Sequence, residues 1–197
     1  MRYKPKNLWK SLFFLLVGIN VAVLAIVIVL VGIPRDVQLP EDVQTSQEET
    51  SILIQSKKDS INKLIDNYLK KQQAGNKTLQ YQVVLDDYIE FYSTIPVFDM
   101  ELQLTMTFTP VPLKNGDLLL KQRSMELGQM QLPVSYVLNF IKKQNNLPEW
   151  VTIDSKNKQI YVALTDLRMN NELMLKVNKF DLKKDDISFR LVVPSES

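Results

Sequence analysis

FDMELQLTMTF, residues 98–108, alternates apolar and polar side chains without a break. In an extended chain the apolar positions face one side and the polar positions face the other. Such a strand has one buried and one solvated face, which is typical of an antiparallel sheet that is covered on one side. The stretch therefore predicts a sheet whose apolar face packs against other parts of the chain.

Further strands are predicted on both sides of this segment. Thr109–Pro112 should end the strand, and Asn115–Gly116 predicts a hairpin turn after it. A second strand is expected from Asp117 towards Gln131, with a bulge at Gly128. The remaining predicted strands cover residues 79–85, 159–168, 172–182 and 187–193, with turns at 170–171 and 185–186.

Two segments follow the 3.6-residue period of an amphipathic helix. The first has apolar side chains at positions 61, 64, 65, 68 and 69. Asp59 or Ser60 is expected to cap it, and residues 52–54 are interpreted as an earlier turn of the same helix. The second runs from Val134 to Ile141 and carries lysines at its C-terminal end. The fold class predicted from these patterns is α+β, an antiparallel meander with two helices.

The segment SLFFLLVGINVAVLAIVIVLVGI, residues 11–33, has a different character. Its part Leu12–Ile33 is a run of 22 residues without a charge, and roughly 20 apolar residues are enough to span a bilayer. Four basic residues precede the run and five acids follow it within residues 36–49, so we expect the N-terminus to lie inside the cell. A cleaved signal peptide is the alternative, but its apolar region is usually only about 7–15 residues long. The sequence favours an uncleaved single-pass anchor in the cell membrane.

The anchor divides the chain into four predicted parts. Residues 1–11 form a basic cytoplasmic stub, 12–33 a transmembrane helix, 34–50 a tether, and 51–197 an extracytoplasmic domain. The first 35 residues hold five of the 24 basic side chains and none of the 22 acidic ones, so the rest of the chain is slightly acidic. That balance gives no basis for a nucleic-acid partner, which needs a clustered basic face. The absence of cysteine excludes a disulfide framework.

Three short features occur in order within FTPVPLKNGDLLLK, residues 108–121, and MELGQMQLPVSYVLNFIKKQNNLPEWVTID, residues 125–154. They are Gly-Asp-x-x-Leu from Gly116, Gly-x-x-x-Leu-Pro from Gly128, and Pro-x-Trp-Val from Pro148. Together with the anchor, these segments resemble the YpmS family of low-GC Gram-positive bacteria over essentially the whole chain. The resemblance implies a single-pass membrane protein with an extracytoplasmic domain of uncharacterised activity. It supplies no catalytic residues.

The side chains available for chemistry argue against an enzyme. The chain has neither His nor Cys, which excludes Ser-His-Asp and Cys-His nucleophiles and the usual zinc sites. No cofactor or metal is expected. Paired carboxylates could support glycoside hydrolysis, but a polar turn and the wet face of a strand explain them more simply. The carboxylates concerned are Asp86, Asp87, Glu90, Asp99 and Glu101.

The remaining pattern is apolar and rich in Met and Phe. Methionine adapts to irregular space, so a sheet face lined this way could hold an acyl chain, although core packing is its commoner use. The residues of this candidate lipid-facing or core face are Phe98, Met100, Leu102, Leu104, Met106, Phe108, Met125 and Met130.

We therefore expect a membrane-anchored, non-enzymatic module that binds a lipid or a lipid-linked polymer of the cell envelope. Its expected partners are the bilayer itself and that envelope component. The first alternative is a scaffold protein that positions another envelope enzyme through an exposed sheet edge or the helix at residues 61–69. A hydrolase is the second and least favoured alternative, because catalysis so often uses histidine.

Overall fold

The structure is a computed structural model that describes residues 15–17, 19–23, 50–73, 81–97, 100–144, 147–169 and 173–193. The chain divides into two compact units, residues 1–35 and 36–197. In the first unit, residues 15–17 and 19–23 are helical, and Asn20 Nδ2 donates a hydrogen bond to the Leu16 carbonyl at 3.0 Å. The described residues include no helix that is long and apolar enough to cross a membrane. The predicted stub, most of the predicted anchor and residues 34–49 of the predicted tether lie outside the described part.

The described part of the second unit contains ten strands and two α-helices, so the predicted α+β class with antiparallel sheets is confirmed. The elements are, in chain order, β1 Ser51–Ser56, α1 Lys58–Gln73, β2 Tyr81–Leu85, β3 Ile89–Val97, β4 Met100–Pro112, β5 Leu118–Leu127, α2 Val134–Gln144, β6 Val151–Asp154, β7 Gln159–Val162, a 3₁₀-helix Leu164–Asp166, β8 Arg168–Met169, β9 Leu173–Asp181 and β10 Asp186–Val192.

The described strands form two antiparallel sheets. The six-stranded sheet has the order β2-β3-β4-β5-β7-β6, and the four-stranded sheet has the order β1-β10-β9-β8. Strands β2 to β5 make a simple meander, and the chain then passes through α2 before β6 and β7 join beside β5. Val177 N–H of β9 donates to the Gly116 carbonyl at 2.7 Å, which links the four-stranded sheet to the β4–β5 turn.

The main hydrophobic core draws side chains from both sheets and both helices. On β4, Leu104, Met106 and Phe108 are buried, while Thr105 and Thr107 between them are only half-buried. The alternation in the sequence thus places one row of β4 inside the molecule and the other on its outer face. The core residues contributed by other elements include Leu85, Ile95, Leu127, Val137, Leu138, Ile141, Ile153, Val177 and Ile187.

A smaller cluster covers part of the opposite face of the six-stranded sheet. It consists of Leu119, Tyr161 and Ala163, with Trp150 packed against them. Because this cluster and the main core cover β5 on its two faces, three consecutive leucines, 118–120, are all buried there. Trp150 also contacts Tyr68 of α1, with ring centroids 6.0 Å apart.

Strand β4 continues through its two prolines, whereas the sequence analysis expected Thr109–Pro112 to end it. Pro110 and Pro112 pair with β5, but the pairing of β4 with β3 stops at Phe108. Beyond Phe108, no described strand pairs with the other side of β4. Proline lacks an N–H donor and is tolerated where one side of a strand is unpaired, so the strand extends four residues further than expected.

Residues 52–54 form strand β1 and not an early turn of α1, so that prediction is wrong. Their Ile-Leu-Ile sequence pairs with β10 from Ser51 to Ser56, a context that suits β-branched side chains. Helix α1 begins at Lys58, whose N–H donates to Asp185 Oδ1 at 2.7 Å. The cap therefore comes from the distant β9–β10 turn and not from the predicted Asp59 or Ser60.

Several strand predictions need smaller corrections. Strands β3 and β6 were not expected, and the segment predicted as one strand over residues 159–168 is divided between β7, a 3₁₀-helix and β8. Gly128 lies in the turn after β5 with a φ of 50°, and the register shift of this hairpin falls between Thr107 and Phe108 instead. The predicted turn at 170–171 lies outside the described residues.

Candidate functional site

Most of the predicted Met- and Phe-rich face lies inside the molecule. Leu104, Met106 and Phe108 have exposed fractions of 1, 0 and 2%. Leu102 and Met125 are half-buried and pack against the same core. An acyl chain could contact the three buried residues only by displacing side chains that already pack there.

The other three residues of the predicted face are scattered. Met100, at the beginning of β4, is 53% exposed. Met130 is half-buried and forms an isolated bridge with Leu127. Phe98 lies outside the described residues. The structure therefore does not gather the eight residues into one described groove.

The outer face of the six-stranded sheet carries a shallow open depression of about 450 Å³. The register brings together its wall residues, because Gln82 lies opposite Tyr92, Tyr92 opposite Thr105, and Thr94 opposite Gln103. The lining is mostly uncharged and polar. Its outer-row residues are Gln82, Tyr92, Thr94, Gln103 and Thr105, and it also borders Tyr81, Ser93 and Leu104, which belong to the inner row.

Two tyrosines near the depression have different surroundings. Tyr92 is 37% exposed on the outer face, and its hydroxyl donates to the Glu90 carboxylate, which raises the pKa of Tyr92. Tyr81 belongs to the inner row and stacks on Phe91 with ring centroids 5.5 Å apart. Burial raises the pKa of Tyr81. Tyr92 is thus the tyrosine whose ring is available to a ligand on the outer face.

Carboxylates lie on the outer face near the depression, although β5 also carries Lys121 and Arg123, and the Arg123 guanidinium lies 4.5 Å from the Tyr88 ring. Glu90 lies opposite Thr107, Glu126 opposite Thr105, and Glu101 opposite Pro96, so all three carboxylates belong to the outer face. Among the described residues of β2 to β4 there is no Lys or Arg. The lining itself is uncharged, so a neutral ligand would meet hydroxyl and amide groups there.

A second polar cluster is buried at the β4–β5 turn and centres on Asp117, which is 2% exposed. Its Oδ2 accepts hydrogen bonds from the Tyr161 hydroxyl and from Asn115 Nδ2, the latter at 2.8 Å. Its Oδ1 accepts from Thr165 N–H at 3.0 Å and from Thr165 Oγ1 at 2.9 Å. Burial together with the bond to Asp117 raises the pKa of Tyr161 to about 12.

This Asp117 cluster is a structural clamp. Four donors occupy the four lone-pair directions of the carboxylate, so no acceptor position is left for a substrate proton. The clamp joins the turn of the β4–β5 hairpin to β7 and the 3₁₀-helix. Gly116, which directly precedes Asp117, has a φ of 97°, and an added Cβ would lie 2.7 Å from Lys176 Cβ. The Gly-Asp feature noted in the sequence is explained by this packing.

Asp154 is the other deeply buried carboxylate, at 2% exposed. Burial opposes its ionisation, but hydrogen bonds from Asn157 and Gln159 outweigh that effect and lower the pKa of Asp154. Asn157 Nδ2 donates to Oδ2 at 2.7 Å, and Asn157 N–H donates to Oδ1 at 3.1 Å. These bonds fix the turn between β6 and β7.

The carboxylates considered for hydrolysis do not meet in a described cleft. Asp86 and Asp87 are exposed in the turn between β2 and β3, and Asp86 lies 3.6 Å from Lys58 Nζ. Glu101 is exposed on β4, Glu90 bonds Tyr92, and Asp99 lies outside the described part. The described residues contain no group of three or more His, Cys, Asp or Glu side chains that could hold a metal ion.

The depression was not predicted from the sequence, because strand β3 was not predicted. Tyr92 and Thr94 lie on that strand, which alternates polar side chains with the inward-facing Ile89, Phe91 and Ile95. This period of two was present in the sequence. Tyr88, Ser93 and Pro96 weaken the apolar contrast along the segment, and the strand was therefore overlooked.

The chain has recognisable relatives among bacterial proteins. A family model described as "Uncharacterized protein conserved in bacteria (DUF2140)" matches residues 7–193. The chain is also 32% identical over 190 residues to "Uncharacterized protein YpmS" of Bacillus subtilis (strain 168), an alignment that covers 96% of this chain and 100% of that protein. No solved structure gives a significant match.

Proposed function

The chain belongs to the YpmS (DUF2140) family, and we propose that it is a membrane-anchored, extracytoplasmic and non-enzymatic module that binds the glycan part of a lipid-linked envelope polymer. The observation that carries this proposal is the depression on the outer face, with its neutral polar lining and the exposed ring of Tyr92. The anchor and the location are proposals that rest on the sequence.

The sequence and one hydrogen bond support the anchor. The run Leu12–Ile33 has the length and composition of a single span, and the basic residues before it favour a cytoplasmic N-terminus. Asn20, its one strongly polar side chain, donates to the Leu16 carbonyl. An internal bond of this kind lowers the cost of placing an amide in hydrocarbon.

The chemistry of the depression favours a neutral hydroxyl-rich chain over an acyl chain. Gln82, Thr94, Gln103 and Thr105 offer donors and acceptors, and the ring of Tyr92 offers an apolar face with a polar tip. The depression has a volume of about 450 Å³ and is open rather than enclosed, unlike the clefts that bury most of a small ligand. The open shape lets an extended polymer enter and leave along the sheet.

The carboxylates support a role without catalysis. Asp117 and Asp154 are buried, but protein donors already occupy their oxygens. Glu90 accepts the hydrogen bond of the Tyr92 hydroxyl beside the depression. Structural roles account for Asp117 and Asp154, and positioning of the Tyr92 ring accounts for Glu90. No general acid–base pair therefore needs to be assumed.

The experiment that tests the proposal measures retention of the purified full-length chain on isolated envelope glycan and on a polyanionic envelope polymer. We expect retention on the neutral glycan and at least a tenfold loss for Tyr92→Ala. Tyr136→Ala is the matched control, because Tyr136 is an exposed tyrosine on α2 that does not line the depression. Equal retention of both variants, or stronger retention on the polyanion, would count against the proposal.

A scaffold role is the second candidate function. Helix α1 offers little free apolar surface, since Leu69 is buried and Ile61 and Ile65 pack on the core, which leaves Leu64 exposed. Strand β1 is different, because Ile52, Leu53 and Ile54 are all exposed at the edge of the four-stranded sheet. Removal of that apolar surface, for example by Leu53→Lys, should abolish co-purification of a protein partner if the scaffold role is correct.

A further inference from the structure

Strand β1 is an exposed apolar edge. Ile52, Leu53 and Ile54 are 65, 57 and 38% exposed, and β1 pairs with β10 on one side only among the described strands. An uncharged edge strand with apolar side chains is a ready template for pairing with another chain. Its sequence, Ser-Ile-Leu-Ile-Gln-Ser, contains no Lys, Pro or Gly to weaken such pairing.

The other three edge strands of the described sheets are protected in ways that β1 is not. At the end of β2, Asn62 of α1 donates to the Leu85 carbonyl at 2.9 Å and accepts from Leu85 N–H at 2.8 Å, which occupies the edge. Strand β6 has four residues and β8 has two, and short edges pair poorly. Strand β1 has six residues and no such covering contact among the described residues.

The hydrogen-bond pattern shows which backbone groups of β1 face outward. Val193 N–H donates to the Thr50 carbonyl at 3.2 Å, and paired residues alternate between bonded and non-bonded along an antiparallel ladder. Ile52 and Ile54 therefore bond to β10. The N–H and C=O groups of Ser51, Leu53 and Gln55 point towards the open edge.

We propose that β1 pairs antiparallel with β1 of a second copy of the chain, about a two-fold axis at Leu53. In this register Leu53 bonds to the partner's Leu53 and Ser51 bonds to the partner's Gln55, so all the outward-facing groups of this edge are satisfied. Ile52 then lies beside the partner's Ile54 on the face that also carries Leu191 and Phe189. The two four-stranded sheets become one eight-stranded sheet.

The charge order around β1 favours the second copy over an unrelated strand. The sequence has Glu48 and Glu49 before the strand and Lys57 and Lys58 after it. Antiparallel pairing of two copies brings the acidic end of one segment towards the basic end of the other at both ends of the pair, whereas parallel pairing brings like charges together. Within one chain, Lys57 and Lys58 also lie 3.8 and 3.6 Å from Asp185 and Asp86, so the charges of the second copy would add to these ion pairs. The inference goes beyond both candidate functions: it does not depend on glycan binding, and it places a second copy on the edge that a scaffold role would give to a different protein.

Disulfide cross-linking of the full-length chain in detergent micelles tests the register. The natural chain has no cysteine, so each introduced cysteine reports alone. Under mild oxidation Leu53→Cys should form a linked dimer of twice the 22.8 kDa chain mass, because residues directly opposite each other in a bonded pair lie about 5.5 Å apart at Cα. Gln55→Cys is the matched control. It should not link, since Gln55 lies opposite the partner's Ser51 and four positions away from the partner's Gln55.

Three results would overturn the inference. They are failure of Leu53→Cys to link, equal linking by both cysteines, and linking of Leu53→Cys to a protein of different mass. Leu53→Lys should abolish dimers trapped by an amine-independent cross-linker. It should leave the urea midpoint unchanged at protein concentrations too low for dimers, because the side chain is exposed in the single chain. Retention of the same protein preparation on envelope glycan tests the first proposed function independently of dimer formation.

Discussion

Tyr92 and Thr105 lie directly opposite each other on β3 and β4, so both side chains project from the outer face of the six-stranded sheet. Leu104, one residue away from Thr105, projects to the opposite face and is 1% exposed. One period-two pattern thus separates a binding surface from the core. A substitution at Thr105 should therefore affect ligand binding, whereas a substitution at the adjacent Leu104 should affect folding.

The first prediction concerns this separation. Leu104→Ala removes buried methyl groups and should lower the free energy of unfolding by about 2–5 kcal/mol. Thr105→Ala changes a half-buried residue on the other face and should cost less than about 1 kcal/mol. Urea denaturation of the two purified variants measures the difference. Similar midpoints would contradict the assignment of faces.

The second prediction concerns the pH dependence that arises from Tyr161. The pKa of Tyr161 is raised from 10.0 to about 12 in the folded chain, so the neutral phenol stabilises the fold fully below about pH 10. That stabilisation is lost as the pH rises from 10 towards 12, by roughly 2–3 kcal/mol in total. Tyr161→Phe should be less stable at pH 8 and should show a smaller loss over this range. Tyr136→Phe, at an exposed position, is the control and should keep the wild-type stability at pH 8.

The third prediction concerns the glycine before Asp117. Gly116→Ala places a Cβ 2.7 Å from Lys176 Cβ and Cγ at a φ of 97°, so it should destabilise the chain by more than about 1 kcal/mol. Gly128→Ala is the control, because its added Cβ would lie 3.4 Å from Leu102 Cδ2 and the milder strain should cost about 1 kcal/mol. If thermal unfolding ranks the two variants in the reverse order, the packing described around Gly116 is incorrect.

The fourth prediction concerns topology. Because basic residues precede Leu12 and acidic residues follow Ile33, residues 50–193 should lie outside the cell membrane. Protease added to intact cells stripped of their wall should degrade that part of the chain and spare a cytoplasmic marker protein. Protection of residues 50–193 until the membrane is lysed would show the opposite orientation.

The sequence was informative wherever one local pattern determined the structure. The alternation in residues 98–108, the Asn115–Gly116 hairpin and the second helix are determined by neighbours in the chain, and the described parts of all three are observed. Strand β1 was misread because its pairing partner β10 lies far away in the sequence. The same reason explains the cap of α1, which Asp185 provides from the end of the domain.

The candidate site was harder to predict than the fold. A Met- and Phe-rich row has the same period whether it faces a ligand or a core, and only the packing of Val137, Leu138 and Val177 shows that the row on β4 is buried. The depression requires three strands in register. Because β3 was not predicted, its register with β2 and β4 was not predicted either.

Mass spectrometry of the material that co-purifies with the full-length chain from its native membranes tests the central claim most directly. The account predicts a glycan-bearing lipid with the wild-type chain and its loss from Tyr92→Ala, while Tyr136→Ala retains it. The contradictory result is co-purification of simple acyl lipids alone, in equal amounts with all three chains, since the outer-face depression would then make no contribution to binding.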